Sequence, residues 1–138
     1  MWYLYVDIYC LNYDGNLYDS ALLALISSLI DVNLPKVDII DNILYSLSDE
    51  KHINKIKLKY IPIPLTFGIM DDYILVDPTN EEEELLTSQF TIVYTNNGKL
   101  CSVFKPGGIS IEQEKLSICI QRAESHIKNV LPVLMKLN

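Results

Sequence analysis

Residues 61–108, IPIPLTFGIMDDYILVDPTNEEEELLTSQFTIVYTNNGKLCSVFKPGG, decide the fold, because two runs of alternating residues double back there around a helical turn. Ile63, Leu65, Phe67 and Ile69 alternate with Pro64, Thr66, Gly68 and Met70, the two-residue period of a strand. Asp71-Asp72 then turns the chain into Tyr73-Ile74-Leu75-Val76. Pro62 and Pro64 carry no amide donor, which places this strand at a sheet edge. Thr79 with Glu82 three residues on has the spacing of a capping box, so a short helix is expected from Asn80 into the glutamates. Next, Phe90–Thr95, Asn96-Asn97-Gly98 and Lys99–Lys105 read as a hairpin, since Asn-Gly accepts the positive φ of a tight turn.

Downstream, Pro106-Gly107-Gly108 interrupts the chain, and Ser110 with Gln113 forms a second capping-box spacing. A long helix should follow, with Leu116, Ile120, Ala123, Ile127, Val130, Leu131 and Leu134 on one face, kinked or ended by Pro132. Upstream, Trp2, Leu4, Val6, Ile8 and Cys10 alternate with Tyr3, Tyr5, Asp7 and Tyr9, which predicts a long strand over 2–12. Asp14-Gly15-Asn16 is a turn. Asp19 or Ser20 is then the expected cap of a helix carrying Leu22, Leu23, Leu25, Ile26, Leu29 and Ile30, ending at about Val32 before Pro35. Its opposite face holds the small residues Ala21, Ala24, Ser27 and Ser28. Between 36 and 60, Val37, Ile39, Ile43 and Tyr45 suggest one or two short strands, and residues 48–52 a polar loop containing His52. Ile56, Leu58 and Tyr60 alternate with lysines, as an edge strand does. The order is α+β with mostly antiparallel pairing.

A chain of 138 residues suits one domain or two small half-domains. Its 49% hydrophobic and 21% charged residues are those of a folded protein. Ser27, Ser28 and Asp31 break the longest apolar run below the roughly 18 residues a membrane span needs. The start lacks a basic region and carries Asp7, unlike a secretory signal. Cys10, Cys101 and Cys119 are odd in number and show no CxxC spacing, so reduced thiols are expected. The net charge is −7 and Arg122 is the only arginine, a poor endowment for gripping nucleic acid alone.

Candidate chemistry is sparse. Glu81-Glu82-Glu83-Glu84 beside Asp77 is the one dense carboxylate cluster, but its spacing matches no cation loop, and glutamates suit a first helical turn without any ligand. His52 and His126 are separated from Cys101 and Cys119 by element and spacing, and no serine elbow or phosphate loop is present. Gly107-Gly108 before a helix has free amides for an anion, yet also serves as simple punctuation. The residues themselves assign no catalytic, cofactor-binding or metal-binding position, and no cofactor.

Several segments in order resemble the RNase PH-like ring subunits of the eukaryotic RNA exosome. Trp2–Asp7, Asp14-Gly15-Asn16-Leu17 and the following helix resemble the end of the family's first half, with Leu34-Pro35-Lys36-Val37 next. Pro62–Gly68, Leu75-Val76-Asp77-Pro78-Thr79 with Glu81–Glu83, Thr91–Val93, Gly98–Cys101 and Lys105–Gly108 resemble its second half. The resemblance implies an RNase PH-like α+β fold in which residues 1–60 complete a first domain and 61–138 form the second. It also implies partnership with other RNase PH-like ring subunits and cap subunits, contact with RNA only through the assembled ring, no membrane, and residence in nucleus, nucleolus and cytoplasm. Active relatives place a general-acid aspartate twelve positions after the one matching Asp77; here Gln89 stands there, and an amide does not donate the proton a carboxylic acid would. A non-catalytic subunit is therefore expected. The alternatives are an active phosphate-dependent exoribonuclease or an unrelated acidic interaction domain. The isolated chain, with strand 2–12 unpaired, is expected to self-associate.

Overall fold

The structure, a computed structural model, describes residues 3–41, 43–47 and 53–137. After an extended lead-in come helix α1 (Leu17–Asp31), strands β1 (Asn33–Ile40), β2 (Ile43–Leu47) and β3 (Ile53–Lys55), then β4 (Pro62–Met70), β5 (Tyr73–Val76), short helix α2 (Asn80–Glu83), β6 (Ser88–Thr95), β7 (Leu100–Phe104) and helix α3 (Gln113–Leu134), closed by a 3₁₀ turn. Two antiparallel sheets result among the described residues. One has the order β2-β1-β3 and the other β5-β4-β6-β7. The architecture is the expected α+β with antiparallel pairing.

Register explains which side chains form the core. Ile63, Leu65 and Phe67 sit opposite Tyr94, Ile92 and Phe90, so these six lie on one face of the second sheet. All six are buried, and the Phe67 and Phe90 rings stack with centroids 5.5 Å apart. Cys119, Ala123, Ile127 and Leu134, at helical spacing on α3, join them in one cluster. Burial pushes the Cys119 thiol up to about 11, leaving it an inert apolar filler. Pro64, Thr66 and Thr91 belong to the opposite face, where α1 packs, and Ile26 and Ile30 close that side.

Local expectations fared unevenly. The Thr79–Glu82 capping box forms, with Glu82 donating its amide to Thr79 and accepting from the Thr79 amide at 2.8 Å. The hairpin at Asn97-Gly98 forms, with Gly98 at φ 74 and a bulge at Val93/Tyr94. Helix α1 ends at Val32 as expected, but its N-cap position is Asn16, at φ 44 and without a side-chain cap bond, three residues before Asp19 and four before Ser20. Helix α3 starts at Gln113 with Glu112 before it and no side-chain cap, so the Ser110–Gln113 box does not form. Pro132 sits inside α3, one turn from its end, where the helix continues to Leu134. β4 is an interior strand. It is paired with β6 throughout and with β5 only from Phe67 to Met70, so Pro62 and Pro64 lie in the half flanked by β6 alone. The strand expected at Ile56–Tyr60 forms instead at Ile53–Lys55. His52 lies outside the described residues.

The largest departure is at the start. Residues 3–10 run without a ladder partner among the described residues, although their two-residue period persists: Leu4, Val6 and Ile8 are 51, 52 and 54% exposed, against 73, 92 and 82% for Tyr3, Tyr5 and Tyr9. The even residues lean on α1, sharing a groove with Ala24, Leu25, Ser28 and Leu29. The alternation encoded an extended segment, and pairing needs a neighbour that these residues do not contain.

Because Phe90 is 1% exposed and stacked on Phe67, Phe90→Ala is expected to cost about 3–5 kcal/mol through lost burial and a cavity. Denaturant unfolding that shows a loss below about 1 kcal/mol would contradict this placement of the core.

Candidate functional site

The polar centre of the molecule is built around a turn. Gly15 at φ +87 and Asn16 at φ 44 reverse the chain into α1. A Cβ on Gly15 would lie 2.2 Å from the Pro78 carbonyl oxygen and 2.8 Å from the Asn80 nitrogen, so only glycine lets this turn touch the β5–α2 loop. Asn16, 4% exposed, then donates through Nδ2 to Asp19 Oδ2 at 3.0 Å and to Asp77 Oδ1 at 2.6 Å. Its Oδ1 is buried without a partner. That orientation is forced, because carboxylates only accept and the reverse would set oxygen against oxygen.

Asp19, in the first turn of α1 and 8% exposed, reads the opposite sheet face. It accepts from the Thr66 amide at 2.9 Å and the Thr66 hydroxyl at 2.7 Å, and that hydroxyl lies 2.7 Å from Thr91 Oγ1. The amide N–H is spare because Thr66 lies one residue before β5 begins to pair. Glu83 closes the arrangement from α2. It accepts from the Tyr13 hydroxyl, from the Asn16 amide at 2.9 Å and from Gln89 Nε2 at 2.8 Å. Burial pushes the Glu83 carboxyl up, but these three donors together hold it below the ordinary range, and the same contact raises Tyr13.

Gln89, the position of interest from the sequence, lies on β6 opposite Gly68. It borders a shallow pocket of about 320 Å³ lined by Glu83, Leu86, Thr87, Ser88 and Pro106–Gly108. Gly108, at φ +81, presses on Thr87 and Ser88, which brings the Pro-Gly-Gly turn over this pocket. Its lining residues include no cation, the Lys105 ammonium at its rim is bound to the Gly107 and Gly108 carbonyls, and its one carboxylate is already occupied. Among the described residues no three His, Cys, Asp or Glu side chains are placed to hold a metal ion; in the glutamate run Glu82 closes the helix cap and Glu83 the interlock. Arg122 and His126 lie elsewhere, on α3. Cys10 and Cys101 are exposed.

Sequence reasoning missed Asn16, Glu83, Thr66 and Thr91, and gave Asp19 the wrong task. Thr66 was legible as the polar member of an apolar run, but its partner lies 47 residues away.

The sheet order β5-β4-β6-β7, with α3 on one face and α1 locked to the other by buried carboxylate bonds, is that of an RNase PH-like fold. Residues 60–126 match the family model described as 3′ exoribonuclease family, domain 2. The chain is 34% identical to the exosome complex component rrp43 of Schizosaccharomyces pombe over 90% of its own length and 46% of that relative's. It is 28% identical to the exosome complex component Rrp42 of Methanothermobacter thermautotrophicus, over 99% of this chain and 49% of the relative. An archaeal exosome core superposes with a TM-score of 0.70 at 22% identity, covering 91% of this chain and 47% of that one. An Archaeoglobus fulgidus exosome with RNA bound to the active site gives 0.68 at 23%, covering 88% and 44%. The chain thus spans about half the length of these relatives.

Two outcomes are expected. Gly15→Ala should destabilise the chain by more than about 1 kcal/mol, since it combines a left-handed φ with a backbone clash; unchanged denaturant stability would contradict the close approach. For Glu83, the unfolded chain takes up the proton first as pH falls, because the folded carboxyl is lowered from 4.5. The stability it adds is present above that value and lost as pH drops through the folded one. The melting temperature should therefore fall more steeply below about pH 4.5 in wild type than in Glu83→Gln; parallel profiles would contradict it.

Proposed function

We propose that this chain is a non-catalytic part of an exosome ring, working by shape rather than by cutting RNA. Its similarity to proteins named exosome complex components, over nearly its whole length, supports ring membership. Residues 1–60 then belong to a first RNase PH-like domain and 61–138 constitute the second. The partners are other RNase PH-like ring subunits and cap subunits, with RNA reached through the assembled ring, in nucleus and cytoplasm.

The observation that carries the non-catalytic reading is the state of Gln89. Phosphorolysis needs phosphate held by cations, an RNA 3′ end in line, and a proton for the leaving oxygen. Here the candidate acid position is an amide whose nitrogen is bound to Glu83, in a pocket whose rim cation, Lys105, is itself held by the Gly107 and Gly108 carbonyls. General acid catalysis contributes about 10²–10⁴-fold, so restoring an acid alone leaves phosphate binding and positioning absent.

Neither the wild-type chain nor Gln89→Asp is expected to release nucleoside diphosphates from a single-stranded RNA oligomer in phosphate buffer. Phosphate-dependent release by the purified wild type would overturn the non-catalytic assignment. Release by Gln89→Asp alone would show that residue 89 marks the acid position and that the lack of an unengaged cation at the pocket matters less than argued.

A further inference from the structure

A groove of about 480 Å³ runs between α3 and the outer edge of the second sheet, away from Gln89 and from the Asn16–Asp19 contacts. Its floor is Leu65, Val76 and Ile118, and its wall carries Arg122, His126 and Asn129. Val76 is 41% and Ile118 38% exposed, so apolar surface is left open to solvent at the floor. One end is fixed: Lys115 on α3 donates to the Asp71 carbonyl at 3.1 Å and pairs with Asp72 at 3.3 Å, holding the first turns of the helix against the β4–β5 turn.

Three features of this groove point to one kind of ligand. β5 is the terminal strand of its sheet, so one side of Tyr73–Val76 has no ladder partner among the described residues. Val76 pairs with Phe67, which sets its side chain on the α3 face beside that free edge. Finally, Arg122 and His126 stand one helical turn apart, and no Asp or Glu is among the groove's lining residues, although the chain carries 18 acidic residues and a net charge of −7. The one ion pair among the described residues is Lys115–Asp72, so the chain's only arginine faces the groove without a carboxylate.

We propose that this groove docks an extended acidic peptide segment of a partner protein, added as a strand to the free edge of β5. Its main chain pairs with Tyr73–Val76, an aliphatic side chain rests on Val76 and Ile118, and a carboxylate side chain meets Arg122 and His126. An edge strand beside a helix supplies backbone pairing for affinity and alternate side-chain positions for selection. RNA is the poorer fit, since a single arginine on a chain of this charge neutralises few phosphates and a sheet edge offers nothing specific to a sugar-phosphate backbone. This proposal stands independently of ring membership.

The test is a display library of random heptapeptides selected on the 138-residue chain. Enriched sequences should place Asp or Glu within one or two residues of Val, Ile or Leu. A synthetic peptide of that sequence should shift the amide resonances of 73–76 and 118–129. Arg122→Gln, whose spectrum elsewhere should match wild type, should bind it about tenfold more weakly, and Arg122→Glu should lose it. No enrichment, equal binding by Arg122→Glu, or shifts confined to other surfaces would overturn the proposal. So would an oligoadenylate dodecamer that shifts these same resonances while no selected peptide does.

Discussion

Asp19 is a nearly waterless carboxylate held by three donors, the Thr66 amide, the Thr66 hydroxyl and the Asn16 side chain. Burying such a group is costly unless every lone pair finds a partner, and bonds to a charged acceptor are each worth about 1.5–3 kcal/mol. The consequence is positional. Helix α1 packs at one height and one rotation on the second sheet, because moving it strands both the carboxylate and the Thr66 amide. Gly15 and Asn16 are fixed in turn, since the turn must present Asn16 to Asp19 and Asp77 at once. Glu83, on the four-residue helix after Asp77-Pro78-Thr79, takes the Asn16 amide from the other side. One polar cluster thereby joins the segment before α1, the helix, β4 and the β5–α2–β6 region.

This cluster also bears on function. Glu83 is the hinge between the structural role and the site, because the carboxylate that clamps Asn16 also binds the Gln89 amide. The side chain at 89 is thus recruited to hold the fold together. It contributes a neutral donor to a structural acceptor. The surrounding surface is spent likewise, for the glycine turn over the pocket at Gln89 holds the Lys105 ammonium on its Gly107 and Gly108 carbonyls.

Periodicity revealed the elements whose faces are decided locally. The alternation of β4, the Asn97-Gly98 hairpin, the Thr79–Glu82 cap and the apolar face of α3 each depend on residues within a few positions of one another. What stayed hidden depends on distant partners. Asp19 looks like a helix cap because Asp is good at that task, and only Thr66, far along the chain, reveals its actual one. Ser110 and Gln113 have the spacing of a box, but Gly108 packing on Ser88 carries the backbone past the cap geometry. Tyr3–Cys10 has a strand's pattern without a strand's partner, so its period shows as alternating exposure along α1. The bond between Gln89 and Glu83 was not legible at all.

The central claim is that this chain contributes surface to an assembly and leaves chemistry to others. Its most direct test is native mass spectrometry of complexes recovered through an affinity tag on this chain in its source cell. A large complex holding this chain together with several distinct RNase PH-like proteins is expected. Recovery of the chain alone, or in a stable complex without any RNase PH-like partner, would contradict it.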